Sequence, residues 1–246
     1  GGVIHMSGRV WWAGHTGVEF LTARTPDQEL ASGAGRLDKA NVKRIVIVPL
    51  LVSSFSDHYE EIRYYGRDRQ EAPGHVDHQP LKTRAQLLVT PAMDSDRLLG
   101  GILADQVRSA SKSPRNESVI LVAHGPNEEP DNEKWLACLK VQAAYLQSAH
   151  GFRRVEAATI RDDAPKPVKD AAVASLRERV QRYGEDTRVI IQPVLISTGH
   201  VQAEIATLLK GLDYSMSASG VASHALTPEW IRLQAVTALP SRALIL

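Results

Sequence analysis

Two histidines stand where short apolar runs give way to glycine-containing turns. They lie in Leu121-Val-Ala-His-Gly-Pro-Asn127 and Ser197-Thr-Gly-His200, and the second is followed by Glu204. An imidazole can ligate a metal or carry a proton near neutral pH. Glu204 lies four residues beyond His200, so a helix starting near Gly199 would put both on one face. Two imidazoles and a carboxylate suit Co, Fe, Ni or Zn, and ligand softness does not choose among them. The plainer alternatives are a capping role for His124 and an ordinary solvated helix carboxylate at Glu204. The first half holds a counterpart, Ser56-Asp-His-Tyr-Glu-Glu61, but no His-Gly after a buried strand, so His58 reads as substrate-side or vestigial rather than as a ligand. His224 precedes the final helical pattern (228–236) and is a candidate to face a substrate cleft. His75 and His78 lie in a polar loop, and His5 and His15 in unpatterned sequence. The acidic run Glu128, Glu129, Asp131 and Glu133 either guides cations or decorates a helix N-terminus, where acids are favoured. Trp135 reads as core.

The elements that must position these groups are short β-branched runs, 44–52, 85–90, 118–123 and 188–196. Their near-continuous apolarity predicts strands covered on both faces, as in parallel sheets. Between them, Leu136, Leu139, Ala143 and Leu146 predict a helix over 131–150, with Asp131 as N-cap and Gly151 as stop. Val173, Leu176 and Val180 predict another over 168–183. Strand and helix in alternation mean βαβ units, whose ligands bind beyond the carboxyl ends of the strands. His124 and His200 should then open on one sheet edge.

The chain also repeats itself. Residues 41–53 read like 186–197, both continue to a histidine, and Glu61-Ile62 matches Glu204-Ile205. Upstream, Val18-Glu19 precedes Arg24 as Val155-Glu156 precedes Arg161. A single offset of about 137 to 144 residues means two copies of one domain rather than a solenoid. The polar stretch 109–116 marks the boundary, giving halves at 1–112 and 113–246. The first half is expected to lack its first strand and helix.

Composition narrows the classes. The 246 residues carry a net charge of +1, which gives no broad case for nucleic acid or an anionic membrane. One cysteine, Cys138, rules out an internal disulfide and Cys-rich metal sites. No apolar run approaches the roughly 20 residues of a membrane span, and residues 1–17 do not have the form of a signal peptide, so a reducing cytoplasm is expected. No phosphate-binding glycine loop of Walker type is present.

Val-Ala-His-Gly after a strand, then a Pro-containing strand ending Ser-Thr-Gly-His with a following Glu, resembles the class II, ATP-independent tetrapyrrole metal chelatases. Within them it is most similar to the sirohydrochlorin chelatases of cobalamin and siroheme synthesis, in their long, duplicated form. The likeness covers residues 118 to about 236 well and 18 to about 110 more loosely, and Ser56-Asp57-His58 resembles the ferrochelatase branch. The resemblance implies an α/β fold of two tandem lobes, each a parallel sheet flanked by helices, with a cleft between them. It implies that His124 and His200 hold an incoming metal with Glu204, or that one holds metal while the other takes a pyrrole proton. The metal is then a substrate, Co²⁺ first, Fe²⁺ next, with Ni²⁺ possible, and the partner is a carboxylate-rich tetrapyrrole. Arg153, Arg154, Arg161 and Lys166 either pair with its carboxylates or form a solvated basic face, and His58 and His224 are the other substrate-side candidates. Some members place a metal-binding Glu on the strand after the first helix. The nearest positions here are Thr159 to Arg161, with Glu156 off register, which leaves the third ligand open. Two other readings compete: a non-catalytic tetrapyrrole or metal carrier, and an unrelated α/β binding protein whose histidines are structural. Oligomeric state is not readable.

Overall fold

Every residue of the strand Glu117–Ala123 is buried, as expected of a strand covered on both faces. Alternation along it feeds two separate layers. Val119, Leu121 and Ala123 pack with Leu139, Ala143 and Leu146 on one side, and Ile120 and Val122 pack with Leu176, Val180 and Ile205 on the other. Each fully buried aliphatic side chain contributes about 1.5–3 kcal/mol, so this strand is the spine of the second half.

The computed structural model describes residues 11–12, 16–17, 26–74, 76, 79–217 and 219–239. His5, His15, His75, His78 and the Val18-Glu19 and Arg24 segment lie outside them. Strands β1 (Trp11–Trp12) and β2 (Thr16–Gly17) pair antiparallel. Then follow helix α1 (Pro26–Lys39), β3 (Arg44–Ile47), α2 (Asp57–Tyr65), β4 (Gln86–Val89) and α3 (Arg97–Ala110). The second half has β5 (Glu117–Ala123), α4 (Glu129–His150), β6 (Arg154–Thr159), α5 (Lys166–Gly184), β7 (Arg188–Pro193), α6 (His200–Leu208), β8 (Ser215–Met216) and α7 (Leu226–Ala238). Strands β3 and β4 form a parallel pair, and the larger parallel sheet runs β6-β5-β7-β8. The fold is therefore α/β with helices flanking parallel sheets in both halves. The order α1-β3-α2-β4-α3 repeats as α5-β7-α6-β8-α7, which is the duplication read from 41–62 and 186–205. The expected loss of a first strand and helix falls on residues 1–25, mostly outside the described ones.

Two boundaries differ from expectation. Helix α4 starts at Glu129, with Glu128 rather than Asp131 at the cap position and Pro130 in the first turn. Proline is preorganised for the first turn, where its missing N–H is no loss, so the helix begins earlier than the apolar pattern suggests. Its expected end holds: Gly151 has φ 69° and its N–H reaches the Gln147 carbonyl. The runs 44–52 and 188–196 leave the strand at Ile47 and Pro193 respectively, and their apolar tails line the core as loop: Val52 and Val194 are buried there.

The halves share one core. Helix α3 places Leu99, Ile102, Leu103 and Val107 in the same cluster as Val119 and Leu121, together with Trp230 of α7 and Val52 and Met93 of the first half. Trp135 is buried there as expected. The polar stretch 109–116 thus covers the end of α3 and a 3₁₀ turn (Pro114–Asn116) leading into β5.

Candidate active site at the carboxyl edge of the second sheet

His124 is the first residue beyond β5, the strand flanked by both β6 and β7. Its Nδ1 lies 2.9 Å from the Gly125 carbonyl oxygen, which can only accept, so the proton is assigned to Nδ1 and Nε2 presents its lone pair. Gly125 makes the sharp turn with φ 80°, and a Cβ there would lie 2.6 Å from Thr159 Cβ. A side chain at 125 collides with β6 as well as straining the backbone. Gly125→Ala should therefore destabilise the protein by about 2 kcal/mol or more in urea unfolding.

Asp162 reaches the same edge from β6. Thr159 pairs with Ala123, Arg161 takes a left-handed conformation with φ 54°, and the chain turns over the sheet edge. His124 Nε2 then faces Asp162 Oδ2 at 3.8 Å and Asp163 Oδ2 at 3.4 Å. His200 comes from the other side of β5, as the first residue of α6 after β7. Its Nε2 lies 3.6 Å from Glu204 Oε2, so the expected i,i+4 pairing on a helix starting at Gly199 is present. Gly220 lets that loop sit tightly, because a Cβ there would be 2.8 Å from the Ile196 oxygen and Ser197 Cα.

Among the described residues, two groups could hold a cation: His124, Asp162 and Asp163, and Asp162, His200 and Glu204, with ligand atoms in each within 4.8 Å of one another. Asp162 belongs to both and joins the two histidines into one site. The side chains of Asp162 and Glu204 are 12% and 19% exposed, whereas His200 is 79% exposed. Lys169, in the first turns of α5, completes the site: its ammonium donates to Asp162 Oδ1 and to Glu204 Oε1, the latter at 2.7 Å. Burial works to raise the Asp162 carboxyl, but the Lys169 hydrogen bond, with further help from Glu204 and the Lys169 charge, holds it below the ordinary value. The Lys169 ammonium is in turn raised, first by Asp162 and then by Glu204.

Asp162, Asp163 and Lys169 are the residues that the sequence reading passed over. The signal was available: two carboxylates stand three and four residues beyond β6, at the edge where His124 and His200 emerge.

The candidate substrate contacts fare differently. Arg161 is 3% exposed and turned inward, donating to Pro126 O, Asn127 O and Glu129 Oε2, each at 2.6 Å. It braces the loop after His124 instead of facing a substrate, because that loop leaves carbonyls needing donors. Arg161 also holds the Glu129 carboxyl below the usual range, so part of the acidic run is a structural pair. Arg153 binds Asp186, Arg154 stacks on Tyr183, and Lys166 binds Asp170, so these cations already have partners. His58 is 78% exposed on α2 beside Glu61 at 3.5 Å, and lies in neither cation group. His224 accepts from the Leu226 N–H at the start of α7 and faces Asp105 at 3.4 Å. Between the halves, α2 and the start of α4 enclose a cavity of about 460 Å³, lined among others by Phe55, Tyr59, Arg63, Arg69, Asp131 and Lys134.

No family profile and no curated protein matches the chain by sequence. Solved structures do match its fold. SirB from Bacillus subtilis with Fe³⁺ superposes with a TM-score of 0.61 at 16% identity, covering 85% of this chain and 77% of that one. The sirohydrochlorin chelatase SirB from Bacillus subtilis subspecies spizizenii in complex with cobalt gives 0.54 at 15% identity, over 85% and 75%. A multi-domain protein of Deinococcus radiodurans, described as structurally similar to chelatases with two additional novel domains, gives 0.52 at 15%, over 89% of this chain and 52% of that one. The fold is that of the chelatases. No described helix is long and apolar enough to cross a membrane.

Proposed function

We propose that this chain inserts a divalent metal ion into sirohydrochlorin or a closely related tetrapyrrole without a nucleotide, with Co²⁺ as the preferred ion and Fe²⁺ next. The observation that carries the reading is the meeting of His124, Asp162, His200 and Glu204 at the carboxyl edge of one parallel sheet within a chelatase fold. Metal is a substrate here, so the site has to capture it and release it again.

Each residue has a distinct part. Solvent-facing His200 meets the hydrated ion first. Asp162 and Glu204 then replace water oxygens with carboxylate oxygens. His124 has its Nδ1 proton engaged by Gly125, so Nε2 is left to accept a pyrrole proton as the metal enters. The two pyrrole protons must leave for the macrocycle to take up a dication, and the exposed edge lets them pass on to solvent. The first half, residues 1–112, serves as the opposing lobe against which the macrocycle rests.

Mixing the protein anaerobically with sirohydrochlorin and Co²⁺, Fe²⁺ or Ni²⁺ tests this by the macrocycle's absorption spectrum. Insertion faster than the uncatalysed rate supports the reading, and the fastest metal is the preferred one. Tight tetrapyrrole binding with no gain in rate would favour a carrier instead.

A further inference from the structure

Resting on the metal site just proposed, we infer that the Lys169 ammonium is a tethered counter-ion occupying the metal's own place between Asp162 and Glu204, and that an arriving divalent ion displaces it. The geometry is paired. Asp162 turns Oδ1 to Lys169 and Oδ2 to His124, and Glu204 turns Oε1 to Lys169 and Oε2 to His200. One oxygen of each carboxylate thus faces a site histidine, and the other faces the ammonium. A dication engaging both carboxylates would stand within a few ångströms of a fixed positive charge, which repels it and competes for the same lone pairs. Lys169 can yield, because its side chain is 27% exposed and its flexible stem can swing to solvent.

The consequence is a site that keeps two partly buried carboxylates neutralised while empty, and that binds metal weakly enough to pass it on. A storage site needs no such competitor. Lys169 is therefore a positioning residue that tunes metal affinity and touches neither macrocycle nor ion in the loaded state.

The test is equilibrium binding of Co²⁺ alone, by calorimetry or by competition with a chromogenic chelator, on the full chain. Lys169→Met should bind Co²⁺ at least tenfold more tightly than wild type, and Lys169→Arg, which keeps the cation, should stay within about threefold. Independently, acetic anhydride labelling of the wild type read by mass spectrometry should show Lys169 modified several-fold faster at saturating Co²⁺. Exposed Lys140 serves as the unchanged control. Unchanged or weaker Co²⁺ binding by Lys169→Met, or no gain in labelling, overturns the inference and makes Lys169 a structural clasp. Absence of Co²⁺ binding in both proteins overturns the metal site itself. Binding that tightens as expected with no insertion activity upholds the inference while sinking the chelatase reading.

Discussion

Replacing His124 and His200 together by alanine should return cobalt insertion into sirohydrochlorin to the uncatalysed rate. The two imidazoles leave β5 and β7 on the same edge and converge on Asp162, one from each side. Loss of His200 removes the most exposed nitrogen donor, and the remaining carboxylates hold a cobalt ion less selectively. Loss of His124 removes the proposed proton acceptor, a contribution typically of 10²–10⁴ in rate. Either single substitution should therefore slow insertion by about a hundredfold or more. The double variant should fall little further than the worse single, because the groups act as one unit and such effects are not additive. Stability is the control. His200 is largely solvent-exposed, so its replacement should change unfolding free energy by no more than about 0.5 kcal/mol. A double variant that keeps the wild-type rate acceleration would separate these histidines from the chemistry.

The second large effect falls on stability rather than turnover. Arg161→Ala should destabilise the protein by about 3–5 kcal/mol in chemical unfolding. The guanidinium is buried and supplies donors to two backbone carbonyls, at Pro126 and Asn127. Each buried acceptor left without a donor costs about 1–3 kcal/mol. Loss of buried packing from the side chain's stem adds to that. The pair with Glu129 adds little by itself, since that carboxylate is 62% exposed. It does give a pH signature. Glu129 sits below its unfolded value in the folded state, so its contribution is present above the ordinary carboxylate range and lost as pH falls through the lowered value. Arg161→Ala should flatten that acid-side slope. Unchanged stability with a raised KM for the tetrapyrrole would return Arg161 to the role of a substrate contact.

Much of this was legible in the residues because parallel α/β sheets turn sequence position into spatial position. A histidine directly past a buried apolar run must emerge at the carboxyl edge, as His124 does, and His200 opens the helix that follows β7. The placement of Glu204 beside His200 followed from helical spacing, and its part in a metal site only from the resemblance. Asp162 was missed for a local reason. The strand-end pattern stops near Arg161, whose left-handed turn carries the next residue over the edge into the site. Lys169 was hidden differently, since a lysine in the first turns of a helix has the same spacing whether it points to water or across to another element. Arg161 misled because its charge suggested an anionic ligand, while the carbonyls that claim it belong to a loop more than thirty residues earlier. The shared core was also unreadable. Nothing in the pattern of α3 reveals that Leu99 and Leu103 pack with the second half's central strand.

Soaking crystals of the protein with Co²⁺ and locating the ion by anomalous scattering tests the central claim most directly. The account predicts one strong site with His200 and carboxylate oxygens of Asp162 and Glu204 at roughly 2.0–2.2 Å, His124 beside it, and Lys169 withdrawn from between the carboxylates. Cobalt held elsewhere, for example at His58, with the Lys169 bridge intact at saturating metal, would contradict it.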